Sequence, residues 1–118
     1  MANATQVKIS RQDICDSFQE LYNRLTEGYW AATTIEDKDR IRGLADAISD
    51  ILTELNKEDI ESRDNDFRAL TATVQEIIPR LDKLKDQIDQ IIHAVKIANN
   101  VAKAIDKALE LAGKYFKF

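Results

Sequence analysis

The side chains that most often carry catalysis or bind metals are few in this sequence. His93 is the only histidine and Cys15 the only cysteine, and they lie far apart in the chain. A zinc site needs several His or Cys ligands, and a nucleophilic thiol needs a base beside it. The sequence therefore predicts that His93 is an exposed surface residue and that Cys15 is a buried structural thiol.

Acidic residues are more plentiful, and some recur at helical spacing. Asp82, Asp86 and Asp89 lie three or four residues apart, so a helix would place them on one side. A helical di-metal centre needs carboxylates and histidines turned into the core, whereas the inward positions of this segment are apolar. The acidic run 64–76 lacks the glycine and the ligand spacing of a calcium loop. We therefore expect no catalytic residue, no metal site and no cofactor, and we predict that the protein is not an enzyme.

Two adjacent aromatic residues, Tyr29 and Trp30, are the best candidates for contact with a partner. They lie between two predicted helices, and aromatic side chains contribute much of the binding energy at protein interfaces. The alternative is that they only cover an open end of a helical bundle. We predict a partner patch at these two residues.

Composition indicates a single all-α domain over residues 1–118. Hydrophobic residues make up 44% and charged residues 32% of the chain, a balance typical of a folded protein. Three Gly and one Pro are too few for the frequent turns of a many-stranded fold. The sequence has neither a signal-peptide-like start nor an apolar run long enough to span a membrane. Together with the single cysteine, which suits a reducing compartment, these features predict a soluble cytoplasmic protein.

Capping residues and periodicity predict a first helix over residues 10–27. Residues 1–9 lack helical phase and are predicted to form a flexible arm. Ser10 and Asp13 have the spacing of a capping box at the start of the helix. Gly28 suits the position just after the helix, where a left-handed conformation is common.

A second helix is predicted over residues 34–55. Thr34 and Asp37 repeat the capping pattern. Gly43, inside this helix, costs about 1 kcal/mol relative to Ala, which indicates that another segment packs closely there. The apolar residues that follow the cap step by three and four positions and are Ile41, Leu44, Ile48, Ile51 and Leu55.

A heptad pattern predicts one long C-terminal helix over residues 62–112. Apolar residues recur every seven positions in two series, offset by three, and no member of either series is polar. Because the phase is the same on both sides of Pro79, we predict that this proline kinks the helix near 79 instead of ending it. The first series is Phe67, Val74, Leu81, Ile88, Val95, Ala102 and Leu109, and the second is Leu70, Ile77, Leu84, Ile91, Ala98, Ile105 and Ala112.

The predicted fold is a helical bundle in which two shorter helices pack on this long, Pro-kinked, heptad-repeat helix. A helix over 62–112 would extend about 75 Å, which two shorter helices cannot cover. A second copy of the chain is the simplest cover for the remainder, so we predict a coiled-coil homodimer. Its predicted contact residues are Leu84, Ile88, Ile91, Val95, Ile97, Ala98, Ile105 and Leu111.

Charge is distributed unevenly along the chain. Residues 1–89 hold 12 Lys/Arg and 19 Asp/Glu (12 − 19 = −7), whereas residues 90–118 hold five Lys and two acidic residues (5 − 2 = +3). The net charge of −4 argues against nucleic acid as a partner. Beyond Val95 the apolar side of the helix widens and lysines flank it, a pattern that also fits an amphipathic helix on a membrane surface.

The function that remains is a non-enzymatic module for helical oligomerisation and protein–protein interaction, with another protein as partner. Two alternatives stay open. One is a membrane-active amphipathic protein, such as a toxin or pore-forming component. The other is a small acidic inhibitor or immunity-type protein that blocks a basic partner. Heptad-rich helices occur in many unrelated proteins, so the pattern does not identify a family.

Overall fold

The computed structural model describes residues 9–118, and within them the chain is all-α, as predicted. Residues 1–8, most of the predicted arm, lie outside the described part. A short 3₁₀-helix, Ile60–Ser62, precedes the third of the α-helices. The α-helices are α1 (Arg11–Ala31), α2 (Ile35–Leu55), α3 (Asp64–Asp86), α4 (Ile88–Ile91) and α5 (Val95–Phe116).

The four longer helices surround one apolar core. α1 packs against α2 and α5, and α3 packs against the same two helices from the other side. Arg11, in the first turn of α1, donates a hydrogen bond of 2.9 Å to the carbonyl oxygen of Lys57, just beyond α2. The ring of Phe67, near the start of α3, lies 5.6 Å from that of Phe116 at the end of α5. Neighbouring helices are therefore antiparallel, and α2 and α5 occupy opposite corners of an up-down-up-down bundle.

The predicted starts of the first two helices are confirmed. Ser10 and Asp13 form reciprocal capping bonds, each of 3.1 Å. The hydroxyl of Thr34 accepts a hydrogen bond of 3.1 Å from the backbone N–H of Asp37. Each bond satisfies a backbone group that has no partner in the first turn of a helix.

The prediction that Gly28 ends the first helix is wrong. α1 continues for three more residues, and Gly28 is buried in the core. A Cβ atom on Gly28 would lie 3.0 Å from Cδ1 of Ile92 and 3.3 Å from Cγ2 of Val101. The missing side chain therefore lets α5 and the segment before it approach α1 closely.

The prediction of one helix over 62–112, kinked near 79, is also wrong. α3 continues through the exposed Pro79 and ends seven residues later. The chain then makes the single turn α4 and changes direction at residues 92–94 before α5 begins. This turn allows both halves of the segment to cover α1 and α2, and it buries three isoleucines, Ile88, Ile91 and Ile92. Burial of these side chains decides the path of the chain, although no glycine or proline marks the break.

The heptad phase survives the break only in part. Before it, nearly every member of the two series is buried. Within α5 the second series stays buried, but the first does not, since Val95 is exposed and Ala102 and Leu109 are half-buried. Val101 and Ala108 are buried in their place. The buried stripe therefore moves to another flank of the helix in α5.

The connection between α1 and α2 and the connection between α4 and α5 lie at the same end of the bundle. A single antiparallel β-bridge joins Ala32, which follows α1, to Ile92, which follows α4. The last turn of α1 and the first turns of α2 and α5 are therefore held side by side. We call this region the turn end.

Candidate protein-interaction surface

Trp30 lies in the last turn of α1, and its side chain is 75% exposed. Tyr29 beside it is half-buried, and the two rings meet edge to face with 5.2 Å between their centroids. Such a T-shaped contact is a favourable arrangement of aromatic rings. Trp30 is therefore displayed to solvent but is supported from one side.

Lys38 fixes both aromatic residues to α2. Its Nζ donates hydrogen bonds to the carbonyl oxygens of Tyr29 at 2.8 Å and Trp30 at 3.4 Å. The same atom lies 5.1 Å from the centroid of the Tyr29 ring and 6.0 Å from that of Trp30. A cation at this position satisfies carbonyl groups that the end of a helix leaves unpaired, and it also interacts with the ring faces. The geometry of the predicted patch is thus held by a specific contact.

Two further apolar side chains are exposed at the turn end. Ile35, the first residue of α2, is 75% exposed, and Val95, the first residue of α5, is 70% exposed. With Trp30 they account for three of the four strongly exposed large apolar residues between positions 9 and 118, the fourth being Phe118. We call Tyr29, Trp30, Ile35 and Val95 the end patch. Large apolar side chains that are exposed at one end of a molecule are candidates for a protein contact surface.

A groove between α1 and α2 runs up to the end patch. Its volume is about 340 Å³ and it is open to solvent. The floor is apolar, and the charged residues Arg42 and Asp46 lie at its rim, so it can accept an apolar side chain with polar neighbours. The lining residues are Tyr22, Leu25, Thr26, Tyr29, Trp30, Arg42, Ala45 and Asp46.

The reactive side chains identified in the sequence do not converge. Cys15 is half-buried, and burial raises the pKa of its thiol above the ordinary value. A thiol with a raised pKa is mostly protonated at neutral pH and is a poor nucleophile. His93 is exposed in the connection between α4 and α5. Within residues 9–118, no three His, Cys, Asp or Glu side chains are placed to hold a metal ion together.

The predicted oligomer contact is not a continuous surface in this fold. Five of its eight residues are buried in the core of the single chain, namely Leu84, Ile88, Ile91, Ala98 and Ile105. Ile97 and Leu111 are half-buried along α5, and Val95 belongs to the end patch. Within the single chain, α1, α2 and the packing of α3 on α5 cover the five buried residues, so this set of contact residues is corrected. The homodimer itself stays a prediction.

The sequence alone suggested Tyr29 and Trp30 as candidate contact residues, whereas Ile35 and Lys38 were not selected and Val95 was assigned to the heptad seam. A signal for Ile35 was present, because it falls on the side of α2 opposite the stripe that begins at Ile41. An isoleucine on the polar side of a helix does not face the core. The contact of Lys38 with the preceding helix had no such signal, because it depends on how the two helices meet.

α5 has a strongly one-sided apolar surface, but that surface faces the core. Ala98, Val101 and Ile105 are among the buried residues on it. Among the helices described for residues 9–118, none is both long and apolar enough to cross a bilayer.

Comparison with known proteins finds no matching protein-family model, no similar curated protein and no similar solved structure.

Proposed function

We propose that this protein is a non-enzymatic helical module that binds another protein through the end patch. The observation that carries the proposal is the 75% exposure of Trp30, the only tryptophan in the chain. Tryptophan is strongly enriched among the residues that dominate binding energy at interfaces. A tryptophan that only capped the bundle would be covered by it.

The support that Lys38 gives to Trp30 favours binding over incidental exposure. A side chain that is already held in place loses little conformational freedom when a partner covers it. Covering the exposed part of the Trp30 side chain would remove about 150 Å² from water, a gross gain of about 4 kcal/mol. Ile35, Val95 and the groove beside Tyr29 would add to this.

The alternative of a membrane-active protein has less support. The apolar side of α5 could reach a lipid surface only if the helix left the bundle, which would expose the core residues of α1 as well. The alternative of an acidic inhibitor rests on Glu58, Asp59 and Glu61, which are exposed around the 3₁₀-helix. The carboxylate of Glu61 already accepts a hydrogen bond of 2.7 Å from the hydroxyl of Tyr115.

The test is to capture partners from a lysate of the native host and then to repeat the binding with the purified partner. We expect Trp30→Ala to weaken binding at least 30-fold, which corresponds to about 2 kcal/mol. The matched control is Phe118→Ala, which removes the exposed aromatic ring at the other end of the molecule. Equal binding by the two variants would refute the proposal, and circular dichroism would show that both remain folded.

A further inference from the structure

We infer that copies of this chain associate head to tail, with the outer face of α5 of one copy against the outer face of α2 of the next. This contact does not use Trp30, although Asp46 of α2 takes part in it and also lies at the rim of the groove beside the end patch. It also differs from the homodimer predicted from the heptads, whose contact residues lie mostly in the core. The inference rests on two rows of opposite charge and on an exposed glycine.

The outer face of α5 carries a straight row of lysines, which we call the basic row. Its four members are all exposed and fall within an arc of about 40° on a helix of 3.6 residues per turn. From first to last they span about 27 Å at 1.5 Å per residue. Among residues 9–118, only the last of them forms an ion pair, with Glu110 at 3.3 Å. The row consists of Lys96, Lys103, Lys107 and Lys114.

The outer face of α2 carries the complementary acidic row. Its members fall within an arc of about 80° and also span about 27 Å. All but the last are exposed, and that last residue forms an ion pair with Lys57 at 2.9 Å. Arg42 and Arg80 lie beside the row, so the attraction is weak and sensitive to salt. The row consists of Glu36, Asp39, Asp46, Asp50 and Glu54.

The balance of charge sets α5 apart from the other helices, and α2 is the most negative of them. α5 contains four lysines and two acidic residues (4 − 2 = +2), and it is the only helix of the described chain with a net positive charge. α2 contains six acidic residues and three basic residues (3 − 6 = −3). Because α2 and α5 occupy opposite corners of the bundle, each copy presents one face of each sign on opposite sides.

Gly43 adds an independent reason to place a partner on α2. It lies within the acidic row and is exposed. A Cβ atom there would meet only Nη2 of Arg80, at 3.9 Å, so the close packing predicted at Gly43 does not occur within the described chain and nothing there requires a glycine. A glycine inside a helix lowers its stability. Its absence of a side chain leaves room for the long lysine side chains of another copy between Asp39 and Asp46.

A second copy fits this arrangement better than an unrelated partner. Both faces occur on one chain, they have the same length, and they point in opposite directions. A contact between unlike faces leaves one free face of each sign at the ends of the assembly, so further copies can add at either end. The assembly then closes into a ring or remains an open chain whose length depends on protein concentration.

The first test is sedimentation equilibrium of the full chain as a function of concentration and salt. At low ionic strength we expect the average mass to rise with concentration above the monomer value of 13.4 kDa. In 1 M NaCl, where the Debye length falls to about 3 Å, the mass should return to that value. A mass that stays at the monomer value at low salt and millimolar concentration would overturn the inference.

The second test uses charge reversal on each face. We expect each of two double variants to weaken self-association at least tenfold. The first carries Lys103→Glu and Lys107→Glu on α5, and the second carries Asp46→Lys and Asp50→Lys on α2. An equimolar mixture of the two double variants should associate again, because each supplies the charge that the other has lost. A mixture that stays monomeric would overturn the inference.

The matched control reverses two exposed basic residues on α3, with Arg68→Glu and Lys83→Glu. This variant has the same change in net charge as the α5 variant but leaves both rows intact. It should associate like the wild type. Loss of association in this control would show that net charge, and not the two faces, controls the assembly.

Discussion

Ile91 and Val95 distinguish the four-helix bundle from a continuous C-terminal helix. Both are members of the heptad series, so a continuous helix would place them in one buried seam. In the bundle Ile91 is 4% exposed, whereas Val95 is 70% exposed. Replacing each residue by Asp therefore makes a similar chemical change at both positions. The two positions differ in burial only if the chain turns between them.

The expected costs follow from these exposures. Ile91→Asp loses the burial of an isoleucine, about 1.5–3 kcal/mol, and places a carboxyl group in the apolar core at a further cost of a few kcal/mol. We expect a loss of at least about 4 kcal/mol. Val95→Asp loses less than about 1 kcal/mol of burial. It also places a negative charge in the first turn of α5, which has no acidic residue and where the helix dipole contributes about 0.3–1 kcal/mol. The net change should lie near zero.

The measurement is urea unfolding followed by circular dichroism, in enough salt to suppress association. The free energy of unfolding is compared between variants with equal denaturant dependence. If Ile91→Asp does not fold, Ile91→Ala should still give a measurable loss of about 2–5 kcal/mol. The reasoning is wrong if Val95→Asp costs as much as the change at Ile91.

Three further predictions concern other contacts. Gly28→Ala should destabilise the fold by about 1 kcal/mol, because overpacking of about 1–3 kcal/mol outweighs the gain in helix propensity. Gly43→Ala should stabilise the fold by about 1 kcal/mol in the same urea assay, and the opposite order would contradict the close contact at Gly28. Burial and the hydrogen bond to Glu61 raise the pKa of Tyr115. The folded state therefore keeps the full contribution of the neutral tyrosine below the unfolded pKa of about 10 and loses it progressively above that pH. The free energy of unfolding should fall as the pH rises beyond about 10, and Tyr115→Phe should reduce that fall. Because burial raises the pKa of Cys15, its alkylation by iodoacetamide at pH 8 should be much slower in the native protein than in urea, and equal rates would contradict the burial.

Local signals were sufficient to predict the helical class and the starts of two helices. Ser10 with Asp13 and Thr34 with Asp37 need only a few neighbouring residues to form their caps, so their pattern in the sequence specifies the structure directly. The end of α1 was not predictable in this way. Gly28 is typical of a helix end, but here it allows contact between two helices that are distant in sequence.

The break after α3 was missed because the heptads appear continuous across it. A weaker signal was present, since the apolar side of the helix widens beyond Val95. Val101 and Ala108, on the new flank, are buried in the bundle, whereas Val95 is not. Val95 was not predicted as a member of the end patch for the same reason, because its exposure depends on the break, whereas the position of Ile35 opposite the apolar stripe of α2 can be read from the sequence.

The turn between α3 and α5 costs little, which explains why the chain folds back without a glycine or proline. The backbone N–H of Gln87 still donates to the carbonyl of Leu84 at 3.1 Å, and that of Ile92 donates to Ile88 at 2.8 Å. The exposed residues that follow can bond to water. Against this small loss stands the burial of three isoleucines, each worth about 2 kcal/mol.

Covering the heptad seam within one chain also requires no second copy, so it holds at any protein concentration. The break that completes the core also determines the exposed surface. It places Val95 at the turn end, where the bridge between Ala32 and Ile92 holds its segment beside the end of α1. In a continuous helix Val95 would be one more seam residue, far from any turn. Val95 therefore belongs to the end patch because the chain folds back, and a variant that kept α3 and α5 continuous would lose the core and this part of the surface together.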